Sequence, residues 1–403
     1  MRACLLLGVL GAVIAGCGGV EVAPSSDAGL GGDALAFADA GSVGDAGDRP
    51  ADAGMPPADG GPPASGIAPP GALAGEEPGA DGDTWLTVPA GGEIVVRIDA
   101  APTEHVTFFA SFTPTNADLE LDVLRWDGAV ASPLGTTDAG RGLRTLAVFD
   151  PSGPRTFWAR LRGTGTASVA ATLTITRVPF ADGATCPSDC ARLLQLPLPN
   201  DPLVDGYDHT PSTVFRYQYG RRDLVMFIRH AGHAMRAIGL SPFVPEDLSQ
   251  WDGQTPGTDV GAPRHASHQR GKDVDLSLYG LDGQSVWRSY CTTEQTADGR
   301  ECVAGTESGL DGVANARFFA DFFATGRVTM CFLDRELHPT VFAGLDTAVS
   351  AGQIEVSLSG LFTDGVHIQH WPNHDNHIHV RVSEVEGSAL TFGDLPAEPF
   401  EAP

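Results

Sequence analysis

The chain has 403 residues and a formal net charge of -26 at pH 7, with 51 acidic against 25 basic residues. That length allows two domains and further segments, and the 42% hydrophobic content allows a buried core. A surface this acidic repels nucleic acid and anionic headgroups, so we expect no nucleic-acid partner. A covalent lipid needs no basic patch, so membrane attachment through such an anchor stays open.

The first residues have the form of an export signal. A positive start at Arg2 precedes an apolar run over residues 5–15, which is too short to span a bilayer. Residues 13–17, Val-Ile-Ala-Gly-Cys, resemble a bacterial lipobox whose cysteine, here Cys17, receives the lipid. We therefore expect a lipoprotein signal peptide over 1–16 and an exported protein, anchored in the outer membrane facing the periplasm or at the cell surface. An ordinary signal peptide with a chance cysteine is the alternative.

Residues 17–80 are low in complexity. The tripeptide Asp-Ala-Gly begins at Asp27, Asp39, Asp45 and Asp52, and proline and glycine dominate after Pro56. Such a segment cannot bury enough apolar surface to offset its chain entropy. We expect a disordered, acidic tether.

Residues 81–179 have the pattern of an all-β domain. Strand-like runs cover 85–88, 93–98, 106–112, 119–126, 155–161 and 167–175, with turn residues between most of them. This predicts a β-sandwich, similar in pattern to the small pre-peptidase domains of secreted bacterial proteases. This segment contains no cluster of residues with the pattern of a catalytic or metal-binding site. A spacer role and a glycan- or partner-binding role therefore both stay open.

Residues 180–390 are expected to form one mixed α+β domain, followed by an irregular tail over 391–403. The spacing of apolar residues predicts helices over 222–239 and 315–324, and strands over 274–278 and 378–382. An exported chain can keep disulfides. The candidate pairs are Cys186 with Cys190 and Cys291 with Cys302, whereas Cys331 lies in an apolar run and is expected to be a buried free thiol.

Eleven of the 12 histidines follow residue 200, and two clusters carry chemistry. His377 and His379 are two apart on a predicted strand, so both rings face one side. His268 precedes Asp275 by seven residues, and Gly271 between them allows a bend. His268, Asp275 and His379 would give two imidazoles and a carboxylate, a set that suits a catalytic zinc ion with one open position. Manganese or cobalt would also accept these ligands.

These strings resemble the LAS metallopeptidases, and in particular penicillin-insensitive murein endopeptidase. The resemblance covers about residues 190–385 and rests on residues 265–269 (His-Ala-Ser-His-Gln), 273–275 (Asp-Val-Asp), 371–372 (Trp-Pro) and 374–381 (His-Asp-Asn-His-Ile-His-Val-Arg). It implies an LAS-type domain with a central antiparallel sheet. One departure is that the family's Cys-Pro after the final histidine motif is missing here, so the disulfide framework must differ.

The resemblance also implies roles for single residues. His268, Asp275 and His379 match the zinc ligands, and His265 matches a neighbouring histidine that is sometimes counted as a ligand. His377 matches the proton acceptor for the attacking water, and His374 matches a histidine that steadies the oxyanion. The neighbouring Asp375 is a candidate for orienting a ring.

The implied reaction is hydrolysis of the amide that cross-links peptidoglycan stems, between D-alanine and meso-diaminopimelate. The alternatives are a zinc D,D-carboxypeptidase, another exported peptidase, or an inactive wall-binding lipoprotein.

Overall fold

The structure is a computed structural model of the chain, and it describes residues 82–126, 131–137 and 142–385. The predicted signal peptide, Cys17, the predicted tether and the predicted tail over 391–403 lie outside these residues. Among the described residues, no helix combines the length and the apolar character needed to cross a membrane.

The first half of the described chain consists of strands. These are β1 Gly82–Val88, β2 Glu93–Ala100, β3 Glu104–Thr113, β4 Leu119–Trp126, β5 Ala131–Thr136, β6 Leu143–Val148, β7 Arg155–Gly163 and β8 Val169–Pro179. They form two four-stranded antiparallel sheets, with the orders β1-β8-β3-β6 and β2-β7-β4-β5. The arrangement is sandwich-like.

Alternating apolar residues explain this half. On β3, Val106, Phe108 and Ala110 are fully buried and share one face of the sheet. Strands β5 and β6 are not predicted from the sequence. All six residues of β6 are buried, so it has no polar face to give a period of two, and β5 contains a proline and a glycine.

The second half of the described chain mixes strands and helices. Its strands are β9 Leu193–Gln195, β10 Tyr219–Arg221, β11 Pro245–Glu246, β12 Asp273–Ser277, β13 Thr293–Gln295, β14 Arg300–Cys302, β15 Val328–Leu333, β16 Ile368–His370 and β17 His377–Val382. Its helices are α1 Pro202–Asp205, α2 Arg222–Ala237, α3 Gly312–Phe323, α4 His338–Ser350 and α5 Val356–Thr363.

One five-stranded sheet organises this half, in the order β11-β12-β17-β15-β16. It is antiparallel except for the pair β15 and β16. The predicted α+β class is therefore confirmed for the described residues, with a sandwich-like β half before a mixed half.

Helix ends follow local chemistry. Helix α2 ends at Ala237, before Gly239, whose φ of 85° suits the residue that follows a helix. Helix α3 begins three residues earlier than predicted, because the Asp311 side chain accepts a hydrogen bond from Ala314 N at 2.9 Å. Helices α4 and α5 are not predicted from the sequence, since their threonine, valine and glycine residues weaken the helical pattern.

Both predicted disulfides are present. Cys186 is bonded to Cys190, and Cys291 is bonded to Cys302 across the short hairpin of β13 and β14. Cys331 on β15 is a free, buried thiol, as predicted.

Candidate metal centre

The centre is built on the pairing of β12 with β17. In their antiparallel register Asp275 lies directly opposite His379, so both side chains point to the same face of the sheet. The intervening residues are apolar and turn to the other face, where they are almost fully buried in the core: Val274, Leu276, Ile378 and Val380. The strict alternation of polar and apolar residues along β12 and β17 therefore determines which face of the sheet carries the candidate metal ligands.

His268 reaches this face from a bent loop. His268, Arg270 and Gly271 have φ angles of 63°, 62° and 66°. A Cβ on Gly271 would come within 2.4 Å of a Leu193 side-chain carbon and 2.7 Å of Arg221 N, so only glycine fits there. The Gly271 carbonyl accepts a hydrogen bond from Arg221 N at 2.7 Å, which ties the bend to the start of α2.

Three buried donor atoms form a nearly equilateral triangle. His268 Nε2 lies 3.1 Å from His379 Nδ1, His379 Nδ1 lies 3.0 Å from Asp275 Oδ1, and His268 Nε2 lies 3.3 Å from Asp275 Oδ1. Ligands that bind one tetrahedral zinc ion at 2.0–2.1 Å stand about 3.3 Å apart. The spacing of these atoms therefore fits three ligands of a single cation.

Outer partners hold both rings in place. His268 Nδ1 donates to the Leu248 carbonyl at 3.0 Å, which leaves its Nε2 lone pair free to face the triangle. His379 Nε2 lies 2.9 Å from Asp273 Oδ1, on the side of the ring away from Asp275. Metal-bound histidines typically make such contacts through their second nitrogen.

The carboxylates also control protonation. Burial alone would lower the pKa of His379, but its hydrogen bonds to Asp273 and Asp275 raise it to about 9. Burial likewise opposes ionisation of Asp275, yet the neighbouring His268 and the hydrogen bond from His379 hold its pKa well below the ordinary value. A cation at Nδ1 would take the place of the proton that these carboxylates attract.

His265 lies beside the triangle. Its ring centroid is 4.3 Å from that of His268, and its Nε2 is 2.8 Å from Asp247 Oδ2. His265, His268 and Asp275 form one group whose ligand atoms lie within 4.8 Å of one another. In this position His265 fits either a further metal ligand or a side chain that packs against the ligands without binding the metal.

Two further histidines, His374 and His377, lie beside Asp275. With Asp275 they form a second group of ligand atoms within 4.8 Å of one another. His374 Nδ1 donates to the Pro372 carbonyl at 2.7 Å, and His377 Nδ1 lies 2.7 Å from Asn376 Oδ1. Burial lowers the pKa of His374 to about 4 and holds that of His377 well below its ordinary value. Both rings are therefore neutral at pH 7.

Asp375 does not orient a histidine ring. Its buried carboxylate accepts a hydrogen bond from Arg300 Nε at 2.9 Å, and Arg300 N donates to Asn373 Oδ1 at 2.8 Å. The disulfide-closed hairpin of β13 and β14 thus supports the loop that carries His374 and leads into β17 at His377.

Some functional neighbours were not assigned from the sequence. Asp273 and Asp247 bond to site histidines, and the Trp287 ring lies 4.9 Å from that of His377. A signal for Asp273 existed, since it lies two residues before Asp275 and shares its face on a strand. Asp247 and Trp287 reach the site only through long-range packing.

No protein family and no curated protein matches this chain. Among solved structures, a mitogen from Yersinia pseudotuberculosis shows 15% identity over 27% of this chain and 97% of its own, with a TM-score of 0.21. A periplasmic inhibitor of g-type lysozyme from Aeromonas hydrophila shows 12% identity over 27% and 94%, with a TM-score of 0.21. The pre-peptidase C-terminal domain of a Bacillus anthracis collagenase shows 6% identity over 24% and 89%, with a TM-score of 0.19. At these scores the likenesses support no conclusion.

Proposed function

We propose that this chain is an exported zinc peptidase that hydrolyses the peptide cross-links of peptidoglycan. The observation that carries the proposal is the triangle of His268 Nε2, Asp275 Oδ1 and His379 Nδ1, with sides of 3.0 to 3.3 Å. These three residues would hold the ion. When bound, zinc supplies Lewis-acid polarisation of a carbonyl and lowers the pKa of a water molecule.

The neighbouring rings supply proton transfer. Because the Nδ1 atoms of His374 and His377 face oxygen acceptors, their Nε2 atoms carry lone pairs. His377 Nε2 lies 3.8 Å from Asp275 Oδ1, so this lone pair lies next to the proposed ligand set. In this role His377 accepts the proton of the attacking water and returns it to the leaving amine.

His374 has a more limited role in its neutral state. An Nε2 lone pair cannot donate to an oxyanion, because the single ring proton is engaged with the Pro372 carbonyl. His374 can steady negative charge only after it gains a second proton, so we assign it to proton exchange with His377. The two ring centroids are 4.6 Å apart.

The finer fold assignment is part of this proposal. An LAS-type domain with a central antiparallel sheet is supported by the pairing of β12, β17 and β15 and by the motif strings that resemble murein endopeptidases. The pre-peptidase character of the β half is likewise proposed on pattern alone.

The location belongs to the proposal as well. Two disulfides are consistent with an oxidising compartment. The lipobox-like residues 13–17 support a lipid on Cys17, which would keep the enzyme at the outer membrane, facing the peptidoglycan, or at the cell surface. The proposed substrates are the peptide stems.

The test uses cross-linked muropeptide dimers incubated with the zinc-loaded protein and followed by chromatography. We expect conversion of dimers to monomers, abolished by a chelator and by His377→Ala. Release of terminal D-alanine from intact dimers would indicate a D,D-carboxypeptidase instead. Intact dimers with zinc bound would contradict the proposal and leave another peptide substrate or a wall-binding role.

A further inference from the structure

A cavity of about 370 Å³ lies where the sandwich-like half meets the mixed half. One wall consists of residues 134–137 at the end of β5, and the other of residues 198–199, 208–211, 213 and 215. Its volume falls within the range of small-molecule sites. The peptidase chemistry proposed above makes no use of this cavity.

The two walls are fixed relative to each other. Leu198 N donates to the Ala147 carbonyl on β6 at 2.8 Å, and the buried hydroxyls of Thr145 and Tyr219 lie 2.6 Å apart. A Cβ on Gly135 would come within 2.8 Å of a Leu198 methyl, so glycine allows β5 to approach closely. These contacts bridge the two halves, which makes the cavity a preformed site.

The cavity is also connected to the sheet that carries the candidate metal centre. Glu246 on β11 lies opposite Asp275 on β12, so its side chain points to the face that carries the metal ligands. Asp208, which lines the cavity, donates its backbone N–H to the Phe243 carbonyl at 2.9 Å, two residues before β11 begins. One wall of the cavity is therefore attached to the edge strand of the sheet that carries the proposed ligands.

The residues that line the cavity disfavour the binding of anions. None of the described residues that line the cavity is a lysine or an arginine, and Asp208 contributes a carboxylate. Threonine hydroxyls and aliphatic or proline groups form much of the remainder: Thr136, Thr137, Thr210, Thr213, Leu198 and Pro211. Peptide stems rich in carboxylates are poor ligands for such a surface, whereas a neutral polyhydroxylated ring with a small apolar substituent matches it.

We infer that the cavity binds a neutral acetamido sugar of the glycan strand to which the cross-linked peptides are attached. This inference rests on the proposed function. Asp208 and the threonine hydroxyls bond to the sugar hydroxyls, while Leu198 and Pro211 contact the acetamido methyl group. The sandwich-like half then forms part of the substrate site rather than a spacer.

The test is calorimetric titration of the full chain with N,N′-diacetylchitobiose. Thr136→Trp places a large ring from the exposed rim into the cavity, and Thr87→Trp makes the same change at an exposed position on β1. We expect Thr136→Trp to weaken binding by about tenfold or more and Thr87→Trp to leave it unchanged. Absence of binding at millimolar sugar, or equal binding by both variants, would overturn the inference.

The titration is repeated in a His379→Ala background, so sugar binding is measured without catalysis. With active protein, Thr136→Trp should raise KM for glycan-bearing dimers by about tenfold and leave cleavage of sugar-free peptide dimers unchanged. A protein that binds the sugar but cleaves no cross-link retains the cavity assignment and loses the peptidase proposal. A protein that cleaves cross-links but ignores the sugar loses only the cavity assignment.

Discussion

Asp273 Oδ1 lies 2.9 Å from Nε2 of His379, the ring whose other nitrogen lies 3.0 Å from Asp275 Oδ1. Asp273 also accepts a hydrogen bond from Arg381 Nε at 2.5 Å. The ring is thus held between carboxylates from alternate positions of β12. This contact sets the orientation of a proposed zinc ligand before any ion binds.

The first prediction concerns Asp273→Asn, which keeps an oxygen facing His379 but removes the charge. Outer carboxylates of this kind contribute to metal affinity, so we expect zinc to bind about 10–100-fold more weakly. Competition with a chromogenic chelator measures this. Asp346→Asn, at an exposed position on α4, is the matched control and should bind zinc as the unmodified protein does. Equal affinities for both variants would show that Asp273 does not support the ligand.

The second prediction concerns Arg300, which pairs with the buried Asp375 at 2.9 Å. Arg300→Ala leaves that carboxylate without this partner, and we expect the free energy of unfolding to fall by about 1–3 kcal/mol. Since Asp375 lies in the chain between His374 and His377, the turnover rate should fall by about tenfold or more. Urea unfolding and dimer cleavage measure the two effects.

The control for that variant is Arg97→Ala, which breaks the exposed ion pair between Arg97 and Asp99 in the β half. Exposed pairs contribute less than about 1 kcal/mol, and this one lies outside the candidate site. An Arg300→Ala protein with full activity would rule out a positioning role for the hairpin.

The third prediction separates the two disulfides. Replacing Cys291 and Cys302 by serine, with their sequence separation of 11, should cost about 3 kcal/mol of stability. The same change at Cys186 and Cys190, separated by 4, should cost about 2 kcal/mol. Only the Cys291–Cys302 bond closes the hairpin that contacts the loop of His374. In assays run below 25 °C, only the loss of this bond should therefore lower the activity. Equal activity of both variants would contradict this.

The fourth prediction concerns acid stability. His105 on β3 is fully buried, and its Nε2 donates to the Gln195 carbonyl at 2.8 Å. Burial lowers the pKa of His105 to about 4 from 6.5. The unfolded chain therefore takes up a proton at higher pH than the folded chain, and stability is lost as pH falls from about 6.5 to about 4.

The expected loss from this one residue is about 3 kcal/mol. His105→Gln cannot titrate in that range and keeps a donor for Gln195, so its stability should fall less over the same interval. The difference between the two urea-unfolding curves at pH 7 and pH 4.5 measures the effect. Parallel losses in both proteins would show that His105 does not titrate on unfolding.

The sequence predicted the proposed ligand triad because two of its members lie on regular strands and the third precedes a bend marked by a glycine. His379 and Asp275 occupy strands whose apolar residues alternate clearly, and Gly271 marks the bend that carries His268. The outer contacts depend on sheet register and on loop packing. For that reason Asp247, which bonds to His265 from another segment, received no role.

The contact region between the two halves was the part of the structure that the sequence predicted least well. Strand β6 is buried on both sides because one face packs in the sandwich and the other meets the mixed half, so its sequence lacks alternation. The cavity beside Thr136 and Thr210 arises only when these distant segments pack together. Patterns within single segments cannot indicate such a site.

The central claim is that one ion, held by His268, Asp275 and His379, is required for cleavage of cross-links. Chelator-treated full-length protein is titrated with zinc while the rate of dimer cleavage is recorded. The account predicts no cleavage without metal, a linear rise up to one zinc per chain and then a plateau, with His379→Ala inactive throughout. Cleavage by the metal-free protein, or unchanged cleavage by His379→Ala, would contradict it.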